Sequence, residues 1–286
     1  MAVAPKPFSR FEWLIAWRYL RARRSEGGGS TMTWSRLIGI TLAVFALIAT
    51  LAVREGFRAE FVAAILGSNA HVTVYSAGTL DPTTGRFDRS IPEFNDMAER
   101  VRGVDGVIRA APLVKGQVMA NAREANTGIE VMGISPEDLA TIPRVADPET
   151  SLGSLADFAG GIALGSGVAR ELNVGVGDRD RLILPKGNKT AFGTTPRINA
   201  YEVALIFTSG RYHTDLIRAY LPFEEAQSFF NREGRADEIE VMVEEPEAVE
   251  DLSLALINAA GERSLLWTWK DSQSGFLRAL DVEDNV

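Results

Sequence analysis

The chain has 286 residues, of which 46% are hydrophobic and 24% are charged, and its formal net charge is −8 at pH 7. An acidic chain disfavours nucleic acid as a partner, because nucleic-acid binding needs clustered lysine and arginine. The sequence contains no cysteine, which excludes a disulfide framework, thiolate chemistry and cysteine-based zinc sites.

The first 36 residues are basic. They carry seven lysine and arginine residues against two glutamates, a net charge of +5, so residues 37–286 must carry −13 to give the total of −8. Phe11 to Arg24 places apolar and aromatic residues among arginines at helical spacing. This pattern predicts an amphipathic helix on the inner membrane face, or simply the basic flank of a membrane span. Glu26 to Ser30 (EGGGS) predicts a flexible joint.

An uncharged run, LIGITLAVFALIATLAV, fills residues 37–53 between Arg36 and Arg54. As a helix it is ~25 Å long, close to the ~30 Å of a bilayer core. A buried core helix is disfavoured, because a core helix of this length would rarely lack every charged and strongly polar group. A cleaved signal peptide is disfavoured, because 36 residues precede the run and no small-residue cleavage pattern follows it. We predict one uncleaved transmembrane helix, with the basic flank cytoplasmic and the acidic bulk translocated.

Two β-α-β units are predicted after the anchor helix, which itself continues past Val53 and stops at Gly67. The first unit comprises a strand at residues 71–75, a helix at 91–101 and a strand at 107–111. The second comprises a strand at 239–243, a helix from Pro246 and a strand at 264–269. Ser90 and Glu93 have the spacing of a capping box for the first helix. The two units can share one sheet in a ferredoxin-like split arrangement.

The segment between the two units is rich in short strands separated by glycine and proline turns, which predicts a mainly β insertion. The predicted fold class is therefore α+β with one N-terminal transmembrane helix. The predicted parts, in chain order, are a cytoplasmic basic segment (1–36), the transmembrane helix (37–53), an α/β subdomain (54–114 and 235–270), the β-rich subdomain (115–234) and the start of a second membrane-proximal helix (271–286).

No catalytic, cofactor or metal site is predicted. Gly165 and Gly167 follow a strand and open a helix, but the third glycine of a dinucleotide-binding fingerprint is missing, so a simple strand-to-helix turn is favoured. Residues 187–190 (GNKT) echo only the end of a P-loop. His71 and His213 lack metal-ligand spacing. The many carboxylates are interpreted as a charged surface.

Several segments resemble the lipoprotein-releasing ABC permeases of the LolC/LolE type, within the MacB-like superfamily. They are YLRARRS, the anchor block WSRLIGITLAVFALIATLAV, GFRAEFVAAILGSNAHVTV, IFTSGRY and YLPFEEAQ. The resemblance covers essentially the whole chain. It implies four transmembrane helices and a periplasmic domain with an α/β porter-like part and an inserted, β-rich sabre-like part. The sequence ends where the second transmembrane helix is expected, as in a fragment or half of a split permease.

The resemblance also implies partners and a function. Such a permease pairs with a like permease subunit, identical or not, and binds a cytoplasmic ATP-binding subunit that hydrolyses ATP, so the chain itself is not expected to be an enzyme. It sits in the bacterial inner membrane, in contact with membrane lipid, and passes acylated lipoproteins to a periplasmic lipoprotein chaperone. No cofactor is implied.

Two sites follow from the same resemblance. The lipid and lipoprotein cavity is expected on the outer half of the anchor, at Leu47, Thr50, Leu51, Arg54 and Phe57. The chaperone-contact loop is expected within residues 185–198, at Lys186, Phe192, Pro196 and Arg197. From the residues alone, a plain hairpin is an equally good interpretation of this loop. Two other functions stay open: a MacB-type permease that exports a peptide or toxin or only transmits a signal, and a membrane-tethered enzyme.

Overall fold

The computed structural model describes residues 10–21, 29–66, 69–80, 85, 87–147, 149–190, 193–275 and 278. The chain divides into two compact units, Met1–Phe61 and Val62–Val286. The N-terminal unit is helical where it is described, and the second unit is a mixed α/β domain.

Two helices account for the described part of the N-terminal unit. Helix α1 (Arg10–Arg21) is the predicted amphipathic segment, and α2 (Gly29–Leu66) contains the predicted anchor. Within α2, Met32–Arg58 has a mean hydropathy of 2.3 and is not buried in the structure. These 27 residues are ~40 Å long as a helix, so by length and composition they can cross a bilayer. Gly67, the predicted stop, lies outside the described residues.

The predicted joint at residues 26–30 is longer than the structure allows. Gly29 and Ser30 are already helical, and residues 26–28 lie outside the described residues. A helix propagates easily from a long apolar run once it is nucleated, which explains why two residues of low helix propensity are included.

Twelve strands lie within the described part of the second unit. In chain order they are β1 (Val72–Ser76), β2 (Thr79–Leu80), β3 (Phe87–Asp88), β4 (Val107–Ala122), β5 (Ala125–Ile134), β6 (Ser151–Gly153), β7 (Gly161–Gly165), β8 (Arg179–Thr190), β9 (Gly193–Phe207), β10 (Arg218–Pro222), β11 (Glu238–Val243) and β12 (Ser264–Thr268). Ten of them form one sheet in the order β12-β1-β11-β4-β5-β10-β7-β9-β6, with β8 paired to both β4 and β9.

The helices of this unit cover the sheet. They are α3 (Phe94–Arg102), α4 (Pro136–Leu139), α5 (Pro143–Ala146), α6 (Ser166–Leu172), α7 (Tyr212–Ile217), α8 (Phe223–Phe230), α9 (Val249–Ala260) and α10 (Trp269–Ser272), with 3₁₀ turns at Leu155–Gly160 and Pro246–Ala248. Residues 276–277 and 279–286, most of the predicted second membrane-proximal helix, lie outside the described residues.

At one end of the sheet, β12, β1, β11 and β4 are antiparallel neighbours that carry α3 and α9. One face of these strands is apolar, with Val72 and Val74 of β1 in register with Val241 and Ile239 of β11, all four buried. The strands predicted at 71–75, 239–243 and 264–269 are therefore observed, with shifts of one residue at their ends.

The predicted capping box of α3 is wrong. The helix begins at Phe94, and its N-cap Glu93 makes no capping hydrogen bond through its side chain. Ser90 Oγ instead donates to Asp88 Oδ1 at 2.7 Å, and the amide of Ser90 donates to the same oxygen. The Asp88 carboxylate at the end of β3 lies closer to Ser90 than the first turn of α3 does. The hydroxyl of Ser90 therefore bonds to Asp88 and does not cap the helix.

Strand β4 joins the two halves of the sheet. Residues 107–113 pair with β11, and residues 114–122 pair with β5. Both faces of the half that contains β4 and β5 are covered by a hydrophobic core. One core contains Leu164, Val203 and Phe229, and the other contains Met132 and Phe207. Backbone hydrogen bonding is thus continuous through residue 114, where the sequence predicts a boundary between two subdomains.

Candidate lipid-facing, partner-facing and buried polar sites

The five predicted cavity residues share one face of α2. Leu47, Thr50, Leu51, Arg54 and Phe57 fall within an arc of roughly 120° at 100° per residue. Leu47, Leu51 and Phe57 are each at least half exposed. Thr50 Oγ1 donates to the carbonyl oxygen of Ala46 at 2.8 Å, which satisfies its hydroxyl within the helix. This face is therefore apolar, with Arg54 between Leu51 and Phe57.

The predicted chaperone-contact loop is a long β-hairpin. Strands β8 and β9 pair from Arg179 with Glu202 to Thr190 with Gly193, with a register shift between Leu184 and Asn188. Lys186 belongs to β8, Pro196 is exposed on β9, and Phe192 lies outside the described residues. The hairpin interpretation of this segment is confirmed, and its role in contacting a partner stays a prediction.

Arg197, also predicted in this loop, is bound to the domain itself. Its guanidinium donates to the carbonyl oxygen of Ser228 and, at 2.9 Å, to Oδ1 of Asn231. Ser228 is in the last turn of α8, and Asn231 is the C-cap of that helix. Carbonyl oxygens in the last turn of a helix lack helical partners and attract positive charge. Arg197 therefore fixes the middle of the hairpin against α8.

An exposed apolar row crosses the middle of the same hairpin. Met119 of β4 is in register with Ile183 of β8, which is in register with Ile198 of β9. Met119 is 44% exposed and Ile198 is 58% exposed. A groove of about 450 Å³ lies beside Met119 and is also lined by Pro185 and Ile217. The sequence does not reveal this row, because Met119 of β4 is distant in the chain from the β8–β9 hairpin.

Two ion pairs occupy the face of strands β11 and β4 opposite α3 and α9: Arg109 with buried Glu240 at 3.3 Å, and Lys115 with buried Glu238 at 2.8 Å. A third pair, Arg218 with Glu130 at 3.7 Å, joins the neighbouring strands β10 and β5. Burial raises the pKa of Glu238 despite the neighbouring Lys115. These carboxylates correct the prediction of a charged surface. The sequence did not predict the burial of these carboxylates, because polar residues at every second position of a strand indicate a face exposed to solvent.

Asp180 is a second buried carboxylate that the sequence does not reveal. Its side chain on β8 is fully buried, and among the described residues neither oxygen has a hydrogen bond of normal geometry. Burial raises its pKa to about 6, and the nearby backbone amides of Arg181 and Asn121 only partly offset this. The ionised carboxylate of Asp180 therefore destabilises the folded domain at neutral pH.

His71 and the glycine motif at Gly165 and Gly167 have structural roles. His71 is buried, and its Nδ1 accepts a hydrogen bond from the amide of Val243 at 3.0 Å, while burial lowers its pKa. Among the described residues, no three His, Cys, Asp or Glu side chains are grouped as metal ligands. The predicted strand-to-helix turn at Gly165 and Gly167 is confirmed. A Cβ at either glycine would lie 2.5 or 2.7 Å from the carbonyl oxygen of Asp215, so close packing on α7 requires glycine there.

This chain is similar to known proteins over most of its length. A family model described as the MacB-like periplasmic core domain matches residues 36–259. The lipoprotein-releasing system transmembrane protein LolC of Neisseria meningitidis serogroup B is 28% identical over 285 residues, covering 98% of this chain and 65% of the relative. LolE of Haemophilus influenzae is 24% identical over 260 residues, covering 90% of this chain and 61% of the relative. The chain thus spans less than two thirds of the length of these relatives.

Among solved structures, the periplasmic region of MacB from Actinobacillus actinomycetemcomitans superposes with a TM-score of 0.48 at 12% identity, over 76% of this chain and 95% of that one. A similarity of this size carries no argument about function.

An unburied apolar helix of membrane-spanning length, followed by a mixed α/β domain, is typical of a membrane-anchored protein. These features fit an inner-membrane protein with a periplasmic domain. The chain belongs to the family of the MacB-like periplasmic core domain, because the family model matches most of its length. Its predicted resemblance to LolC/LolE-type permeases is confirmed by the relatives.

Proposed function

We propose that this chain is the membrane subunit of an ABC transporter that releases lipoproteins from the inner membrane. The similarity to LolC and LolE over nearly the whole chain carries this proposal, because those relatives are lipoprotein-releasing transmembrane proteins. A cytoplasmic ATP-binding subunit hydrolyses ATP, a like permease completes the transporter, and a periplasmic chaperone receives the acylated lipoprotein. The N-terminus is cytoplasmic and the folded domain is periplasmic.

The proposed mechanism is gating. Removing an acyl chain from lipid costs about 0.8 kcal/mol per CH₂, so release needs an apolar receiving surface and external work. The exposed face with Leu47, Leu51 and Phe57 supplies apolar surface, and Arg54 on the same face is placed to attract a lipid head group. Helix α2 continues from Arg54 to Leu66 without a break, a length of ~20 Å that can carry motion out of the membrane.

Within the domain, the proposed division of labour follows the sheet. The β12-β1-β11-β4 strands with α3 and α9 are the porter-like part, and the strands beyond residue 114 of β4 are the sabre-like part. The continuity of β4 supports transmission between the two parts, since a shared strand resists bending. The hairpin of β8 and β9 is the proposed chaperone contact, through Lys186, Phe192 and Pro196.

Site-specific crosslinking tests the chaperone contact. A photoreactive residue is placed at Phe192 or at Pro196 in the assembled transporter, with Leu254 of α9, which is 71% exposed, as the matched control site. We expect crosslinks to the lipoprotein chaperone from the hairpin and none from Leu254. Equal labelling from all three sites, or none from the hairpin in an active complex, would contradict the proposed contact and favour another MacB-type permease.

Protease accessibility tests the orientation. Protease added to spheroplasts should digest the region after Leu66 and spare the segment before the anchor, whereas inverted vesicles should show the reverse. The opposite pattern would refute the proposed topology.

A further inference from the structure

A small polar cavity lies among the buried ion pairs. Its volume is about 210 Å³, and its walls come from strands of the sheet, from Arg211 at the start of α7, and from α10 and the residue after it. Three of its lining side chains are cationic, Lys115, Arg211 and Arg218, whereas only Glu240 is anionic. The cavity is therefore lined mainly by positive charge.

The charges around the cavity do not balance. Lys115, Arg218 and Arg109 pair with Glu238, Glu130 and Glu240, respectively, which leaves those six residues neutral as a group. Arg211 is the fourth cation, and it forms no ion pair with any carboxylate in the described part of the chain. One uncompensated positive charge thus faces a partly enclosed space, where water screens it less than at an open surface.

Arg211 is held in this position despite an electrostatic cost. Its amide donates to Ser209 Oγ at 3.2 Å at the start of α7, which fixes the backbone beside the cavity. Burial lowers the pKa of Arg211, and the positive charge of Arg218 lowers it further. Arg218 is itself fixed by Asn69, whose Oδ1 accepts from its guanidinium at 3.2 Å. A bound anion would relieve the repulsion between the two guanidinium groups.

The rest of the lining suits a phosphate group. Guanidinium groups bind phosphate oxygens through paired N–H donors. Thr73 and Gln273 add neutral polar groups, and Trp267 and Trp269 add aromatic walls. Polar groups on more than one wall match the four oxygens of a tetrahedral anion better than the two oxygens of a planar carboxylate. The cavity also exceeds the space that a single ion fills, which leaves room for a substituent.

We propose that this cavity is a phosphate-binding site in which Arg211 and Arg218 hold the oxyanion, taken either from inorganic phosphate or from the phosphodiester of a lipid head group. The site is independent of the proposed transport function, because it rests only on the charges and shape of the folded domain.

Calorimetric titration of the full chain in detergent micelles tests the proposal, at constant ionic strength and with chloride as the reference anion. The probes are inorganic phosphate and glycerophosphoglycerol, a soluble lipid head group. We expect saturable binding of at least one probe. Arg211→Gln should weaken it at least tenfold, and Arg211→Lys should weaken it less, because it keeps the charge but loses the paired donors. Arg123→Gln, which removes an exposed arginine paired with Asp178, is the matched control and should bind normally.

The two probes separate the sources of the phosphate. Tighter binding of glycerophosphoglycerol assigns the site to lipid head groups, and equal or tighter binding of inorganic phosphate assigns it to the free ion. Absence of saturable binding to the wild-type chain, or binding by Arg211→Gln equal to that of Arg123→Gln, would overturn the proposal. Thermal unfolding without phosphate checks the fold, and Arg211→Gln should unfold no earlier than the wild type because it removes a like-charge contact.

Discussion

Replacing Asp180 by asparagine should stabilise the periplasmic domain at neutral pH. Burial raises the pKa of this carboxyl from its ordinary value of 3.8 to about 6. The folded state therefore binds the proton more tightly than the unfolded state. The contribution of protonated Asp180 to the free energy of unfolding is fully present below pH ~4 and is lost as the pH rises to about 6. Above that pH the lost stability is ~3 kcal/mol, at 1.36 kcal/mol for each tenfold change in proton affinity.

Asparagine is nearly isosteric and stays neutral, so it should recover most of this energy. The nearby backbone amides of Arg181 and Asn121 favour a carboxylate over a neutral amide, which reduces the gain by ~1 kcal/mol. The expected net gain at pH 8 is ~2 kcal/mol, or roughly 4–8 °C in Tm for a domain of this size.

The assay is thermal unfolding of the full chain in detergent at pH 8 and pH 5, followed by near-ultraviolet circular dichroism. The gain should be clearly smaller at pH 5, because the wild-type carboxyl is then largely protonated in the folded state. Asp157→Asn, which changes an exposed carboxylate, is the control and should stay within ~0.5 kcal/mol of the wild type. A destabilised Asp180→Asn at pH 8, or a gain that does not depend on pH, would refute the reasoning.

Three further predictions concern close packing at two sites and the hydrogen bonds of Arg197. Gly167→Ala should cost ~1–3 kcal/mol, because its Cβ would lie 2.7 Å from the carbonyl oxygen of Asp215; an unchanged urea midpoint would contradict this. Phe207→Ala should cost ~3–5 kcal/mol, since the ring is fully buried, and the loss of near-ultraviolet signal at lower urea measures it. Arg197→Gln should speed hydrogen exchange in strand β9 beside α8 while costing only ~1 kcal/mol, and unaltered exchange there would show that Arg197 does not hold the hairpin.

The sequence predicts the parts of this protein that depend on local pattern. The uncharged run at residues 37–53 defines the anchor, because an apolar segment of this length has few other stable environments. Alternation over 239–243 defines β11, and the segment around Gly165 and Gly167 defines a strand-to-helix turn, because these signals lie within a few neighbouring residues. The family resemblance rests on the same continuous segments, so it too is visible before any folding is considered.

Contacts between distant segments are decided by the tertiary structure. Ser90 matches a capping box locally, yet its hydroxyl bonds to Asp88, because β3 places that carboxylate closer than the helix. Glu238 and Glu240 alternate with apolar residues as solvent-facing side chains do, yet they are buried.

The sequence by itself determined the membrane anchor, the main secondary-structure elements and the family, because each is encoded in runs of adjacent residues. The tertiary structure decided which charges are buried and which become partners. Lys115 and Glu238 are more than 120 positions apart, and only the pairing of β4 with β11 brings them to 2.8 Å. Long-range strand pairing, which no local pattern encodes, therefore created both the ion-pair network and the cavity beside it.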